Sequence, residues 1–256
     1  MSRIIQRGFK THSHIFFIGI SLTGLCIIGL LAFRAPPPLA RSSYEKYLVG
    51  SVFGAICGLG IFAGLFPSRC THITTRNSYH RLESRMHIRE KKKILKMVNG
   101  HHPSCEHYSS HVLHIDDRKF CSGCTGMIIG AIIALILDFL YFFIGYEIGN
   151  ISSLLVGVGA FSVGCSFIFF FSIDLRSGAA RLILNAYFVF ATALLLIGID
   201  GKAGSLILNL YLLLLIVYWI ITRMIISQQN HKQICSRCKL KPCVLSLSTK
   251  ENDRNN

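Results

Sequence analysis

Charge is scarce in this chain: Asp, Glu, Lys and Arg make up 15% of its 256 residues, and only 12 of them are acidic. Set beside a hydrophobic share of 52%, that scarcity excludes an ordinary soluble domain. The usual catalytic signatures are missing as well. There is no Gly-rich phosphate loop, no G-x-S-x-G elbow and no H-E-x-x-H helix, so nothing here nominates nucleotide chemistry, a serine hydrolase or a zinc protease. What the chain does have is long apolar stretches, which place it in a bilayer.

Apolar runs of about 18 residues or more cross a hydrocarbon core of ~30 Å as helix. Six are present: Ile15 to Phe33, Tyr47 to Phe66, Met127 to Tyr146, Ile151 to Ile173, Leu182 to Ile199, and Ser205 to Ile226. The fifth is the weakest, being short and carrying Asn185. The first follows Arg3, Arg7 and Lys10 but is longer than a signal-peptide core and lacks a small-residue cleavage pattern, so it reads as an uncleaved helix. The expected fold is therefore an all-α polytopic bundle. Its parts are an N-terminal helix pair (1–66), a basic loop (67–126), a four-helix membrane unit (127–226) and a tail (227–256).

Positive charge is retained in cytoplasmic loops. With an inside N-terminus, 23 of the 27 Lys and Arg fall on the inner side, leaving only Arg34, Arg41, Lys46 and Lys202 outside. Both termini are then expected in the cytosol, in a multi-pass protein of the cell membrane. The same asymmetry accounts for the net charge of +15 without nucleic acid as a partner. Its densest part, Arg81 to Lys96, carries Leu82, Met86, Ile94 and Leu95 at partly helical spacing and suits the anionic inner leaflet.

Of ten cysteines, Cys26, Cys57 and Cys165 lie within apolar runs and read as small fillers. The other seven fall on the expected cytosolic side, where disulfides seldom persist, so metal binding is the leading use. Candidate ligands are His101, Cys105, His107, His111, Cys121 and Cys124 in the central loop, with His231, Cys235, Cys238 and Cys243 in the tail. Two arrangements fit the tetrahedral preference of zinc. Either the pairs Cys121/Cys124 and Cys235/Cys238 share one ion, or each group completes its own site. An iron–sulfur cluster also accepts such thiolates.

The stretch Cys121-Ser-Gly-Cys124-Thr125-Gly126, opening an apolar segment and preceded by Cys105 and His107, resembles the signature of an uncharacterised family of multi-pass membrane proteins. In that family a Cys-His segment is followed downstream by C-x-R-C-T-G at the start of a membrane helix; this chain has Gly123 at the Arg position. The resemblance covers roughly residues 100–200. It implies a membrane location and a Cys/His site, and it implies no activity.

Small residues recur every fourth position at Gly50, Gly54 and Gly58, again at Gly60 and Gly64, and at Gly126 and Gly130, the spacing that lets membrane helices approach closely. Asp138 stands out inside the third run, where an ionisable group is a functional candidate; Asn185 or Asn209 would be its hydrogen-bonding partner. Two functions compete. One is a membrane scaffold whose zinc-bound Cys/His module docks a cytosolic protein. The other is a membrane redox protein, with an iron–sulfur centre or a Cys121/Cys124 dithiol serving a quinone-type carrier.

Overall fold

The computed structural model describes residues 2–35, 43–65, 112–115, 118–172 and 177–237, with side chains over 16–35, 43–65, 120–170 and 177–227. The elements are α1 (Ser2–Arg34), α2 (Ser43–Leu65), β1 (Val112–Ile115), β2 (Arg118–Cys121), α3 (Ser122–Asp138), α4 (Ser152–Ser172), α5 (Gly178–Ala203) and α6 (Leu206–Arg237). The six helices are all long and apolar enough to cross a membrane.

Contacts between side chains fix their directions. Gly50 lies against Phe142 while Gly64 lies against Ile128, so α2 runs antiparallel to α3. Gly24 meets Leu215 and Phe17 faces Tyr218, so α1 runs antiparallel to α6. The ends that carry Cys121, Leu65 and Ser172 therefore share one face, called here the Cys face. Phe143, Ser152 and Ala203 lie at the far face.

Large apolar side chains such as Ile136, Phe139, Phe161, Ile207 and Leu214 point outward and are exposed. In water such a surface would drive aggregation; in lipid it costs nothing, because acyl chains are as apolar as leucine. Packing, rather than burial from water, must then hold the helices together. Glycine supplies it. Gly159 sits against the backbone of Leu195 and Gly198 against that of Val156, which brings α4 onto α5. Gly130 sits against Ala186, which brings α3 onto the opposite flank of the same helix. A sharper limit holds at Gly126, where a methyl group would run into Leu182 O and lie 2.9 Å from Asn185 Cβ.

These approaches make α5 the centre of the bundle: 56% of its span is buried, against at most 39% in any other. The expectation that the fifth span is the weakest is thus reversed. Its 26 residues run from Gly178 to Ala203, and its polar Asn185 and Asp200 are buried among neighbouring helices. The glycine expectation holds in part. Gly50, Gly54, Gly64, Gly126 and Gly130 all face a neighbour, whereas Gly58 and Gly60 have nothing within 4 Å.

Two local features also depart from the sequence reading. A β-hairpin precedes α3, pairing Val112 with Cys121, Leu113 with Phe120, His114 with Lys119 and Ile115 with Arg118, so the fold is helical with one small ribbon. Helix α3 starts at Ser122, ahead of the expected Met127, and widens at its end into a π-helical turn over Phe139–Phe143. At the far face Gly204, with φ of 58°, closes α5 by donating its N–H to Asp200 O at 2.9 Å; a left-handed residue of this kind is a standard stop for a helix.

Candidate functional site

Among the described residues, three polar groups centred on ionisable side chains stand out, one at the Cys face, one inside the bundle and one at the far face. At the Cys face, Cys121 ends β2 and caps α3 with extended backbone (φ −71°, ψ 116°), its side chain making no capping hydrogen bond to the helix. Cys124 follows in that first turn. Both thiols are partly exposed, and neither is in a disulfide. Thr125 anchors the turn by donating its hydroxyl to Cys121 O at 2.9 Å.

The close approach of α3 to α5 carries Asn185 to this junction: a Cβ on Gly123 would lie 3.9 Å from Asn185 Nδ2 and 4.0 Å from Cys121 Sγ. Asn185 is buried. Its amide donates to Arg181 O at 2.5 Å, and its carbonyl accepts a hydrogen bond from Arg223 of α6. The Arg223 guanidinium also lies over Phe170 at 4.1 Å and Phe188 at 4.7 Å from the ring centroids. Arg223 falls inside the expected sixth run, Ser205 to Ile226, and inside the α6 span, which extends to Ser227.

Asp138 is the last of the 17 residues of α3, about 24 Å from the helix start at 1.5 Å per residue. Its carboxyl faces α2, with Oδ2 3.5 Å from a Cβ built on Gly54. Oδ1 is buried and has no hydrogen-bond partner among the described residues. The expected bonds from Asp138 to Asn185 or Asn209 are absent; those amides serve Arg223 and Asp200 instead.

An unpaired buried carboxyl is destabilising by about 1–3 kcal/mol relative to an apolar group of its shape. Asp138→Val is thus expected to raise the thermal midpoint of the detergent-solubilised protein. A lowered midpoint would show that the carboxyl is paired after all.

Asp200 forms the third group and was missed in the sequence, where it falls just past the expected end of the fifth run. Its Oδ2 accepts from Tyr141 Oη at 3.0 Å and its Oδ1 from Asn209 Nδ2 at 2.5 Å, with all three residues buried. Lys46 Nζ stands 4.2 Å from the centroid of the Tyr141 ring. The network ties α2, α3, α5 and α6 together at the far face. The signal that would have exposed Asp200 is Gly204, a helix stop four residues beyond it.

No protein-family model, no curated protein and no solved structure matches this chain.

The other expected metal ligands are not brought together here. His101, Cys105, His107, His111, Cys238 and Cys243 lie outside the described residues, as does the basic stretch Arg81 to Lys96. His231 and Cys235 fall on the last turns of α6, beyond its described side chains. Among the described residues no three His, Cys, Asp or Glu side chains gather as a metal site. Cys121 and Cys124 supply two thiol donors, half of a tetrahedral zinc shell.

Proposed function

We propose that this chain is a multi-pass membrane protein whose Cys121/Cys124 turn anchors a zinc site at the Cys face, fixing the central loop and tail as a docking surface for a protein partner. The supporting observation is the junction itself. Cys121 and Cys124 stand with two residues between them where a β-ribbon turns into a helix, and Val112 is paired directly with Cys121. Cys105, His107 and His111 precede Val112 closely in sequence. The similarity of C-S-G-C-T-G to the family signature points the same way. So does the excess of Lys and Arg on this side, which argues for a cytosolic face where thiols stay reduced.

One observation favours a redox reading instead. Cys121 caps the N-terminus of a membrane helix, an end that favours negative charge and is a common setting for reactive dithiols. Elemental analysis with a visible spectrum of the purified chain, beside the Cys121→Ser/Cys124→Ser variant, separates the two. The zinc reading expects a colourless protein holding about one or two zinc ions, with at least one lost in the variant. Iron with visible absorbance, or no metal together with a rapidly oxidised thiol pair, would replace it with the redox reading.

A further inference from the structure

Arg223 lies 17 residues beyond Leu206 on α6, about 25 Å along the helix, in a span that ends at Ser227. That is the level at which the apolar core of a bilayer gives way to headgroups on the Cys face. Arginine carries its positive charge at neutral pH, yet the partners of Arg223 among the described residues are all neutral: the rings of Phe170 and Phe188, and Asn185 Oδ1. No carboxylate of the described residues pairs with it.

Cation–ring contact and one amide bond do not replace a counter-ion in a low-dielectric setting. The guanidinium rests on the aromatic pair, and Asn185, itself bonded to Arg181 O, accepts a hydrogen bond from it. The guanidinium makes a single hydrogen bond among the described residues, and Arg223 is partly exposed. Trp219, one helical turn earlier on the same side of α6, packs against Phe188 at 6.2 Å and Phe167 at 5.6 Å. Among the described residues its buried Nε1 has no acceptor and the buried hydroxyl of neighbouring Thr222 has no partner.

From this arrangement we infer that Arg223, held in position by Asn185, binds the phosphate of an anionic membrane lipid at the Cys face. A guanidinium offers a planar fork that matches phosphate oxygens in pairs, and at this depth the anion that a bilayer supplies is a lipid headgroup. The assignment is independent of the zinc reading, since it uses neither thiol.

Trp219 is the only tryptophan in the chain, so its emission reports on this site. The full chain in neutral detergent is titrated with phosphatidylglycerol, with phosphatidylcholine and with inorganic phosphate. The expected result is a saturable change in emission with phosphatidylglycerol alone, and native mass spectra that retain that lipid. Arg223→Gln then weakens binding on the order of tenfold, and Arg223→Lys, which keeps the charge but not the fork, weakens it less. An equal response to phosphatidylcholine would overturn the proposal, as would an unchanged affinity in Arg223→Gln. A response reproduced by inorganic phosphate would assign the site to a free anion and reject the lipid. Should Arg223→Gln fail to fold, the wild-type contrast among the three probes and the Lys variant decide the question.

Discussion

Asp200→Ala is expected to destabilise the detergent-solubilised protein by about 2–4 kcal/mol, seen as a lowered thermal midpoint and faster proteolysis of the far-face ends. The substitution removes the acceptor of Tyr141 Oη and of Asn209 Nδ2, both on buried residues. Each buried donor left without its partner costs about 1–3 kcal/mol. Polar bonds inside membranes average less, about 0.6 kcal/mol, because the unfolded chain in lipid also finds partners, and that places the expected loss below the simple maximum. Asp200→Asn, which keeps one carbonyl acceptor, should lose less than half as much. A change under about 0.6 kcal/mol for Asp200→Ala would mean that the network is incidental to stability, and that the far face is held by the Gly159 and Gly198 contacts alone.

Gly126→Val should be more damaging, with little folded monomer recovered and a cost of about 3 kcal/mol or more. The added methyl groups would meet the carbonyl of Leu182 and stand 2.9 Å from Asn185 Cβ; neither is the tip of a flexible side chain. Relief requires α3 to move off α5, which also withdraws Gly123 from Asn185 and so disturbs the position of Arg223. Lipid binding at Arg223 and folding should therefore weaken together in milder variants such as Gly126→Ala. The control is Gly58→Ala, at a glycine of the same four-residue series with nothing within 4 Å. It should be neutral or slightly stabilising, because alanine gains up to about 1 kcal/mol in helix propensity. Size-exclusion yield and thermal midpoint of the two variants side by side check the pair, and equal behaviour would show that the α3–α5 approach is looser than described.

That contrast shows what could be read from the sequence and what could not. Gly50, Gly54 and Gly58 are identical as a pattern, yet only the first two face α3. Spacing shows that a close approach is possible; whether a partner stands there depends on how the whole bundle is assembled. Asp138 was legible as an anomaly, since a carboxyl in an apolar run is conspicuous, but its neighbours were not. Its expected partners, Asn185 and Asn209, are engaged at opposite faces with Arg223 and Asp200. Arg223 and Asp200 were passed over for one shared reason: each lies within one or two turns of a span end, where a charged residue is ordinarily taken for a loop or a snorkelling side chain.

By itself the sequence determined that the chain holds six segments long and apolar enough to cross a membrane, and roughly where they lie, because hydropathy over some twenty residues reflects a bilayer thickness that does not depend on the fold. It also marked Cys121 and Cys124 as a pair at the mouth of a helix. Only the tertiary structure decided that the seemingly weakest span is the centre, that Asp200 binds Tyr141 and Asn209, and that Arg223 rests on two phenylalanine rings beside the Cys face. The physical reason is that lipid and protein interior are equally apolar. Hydropathy therefore cannot tell a helix face that meets acyl chains from one that meets another helix, and the few polar side chains acquire their meaning only from what is packed against them.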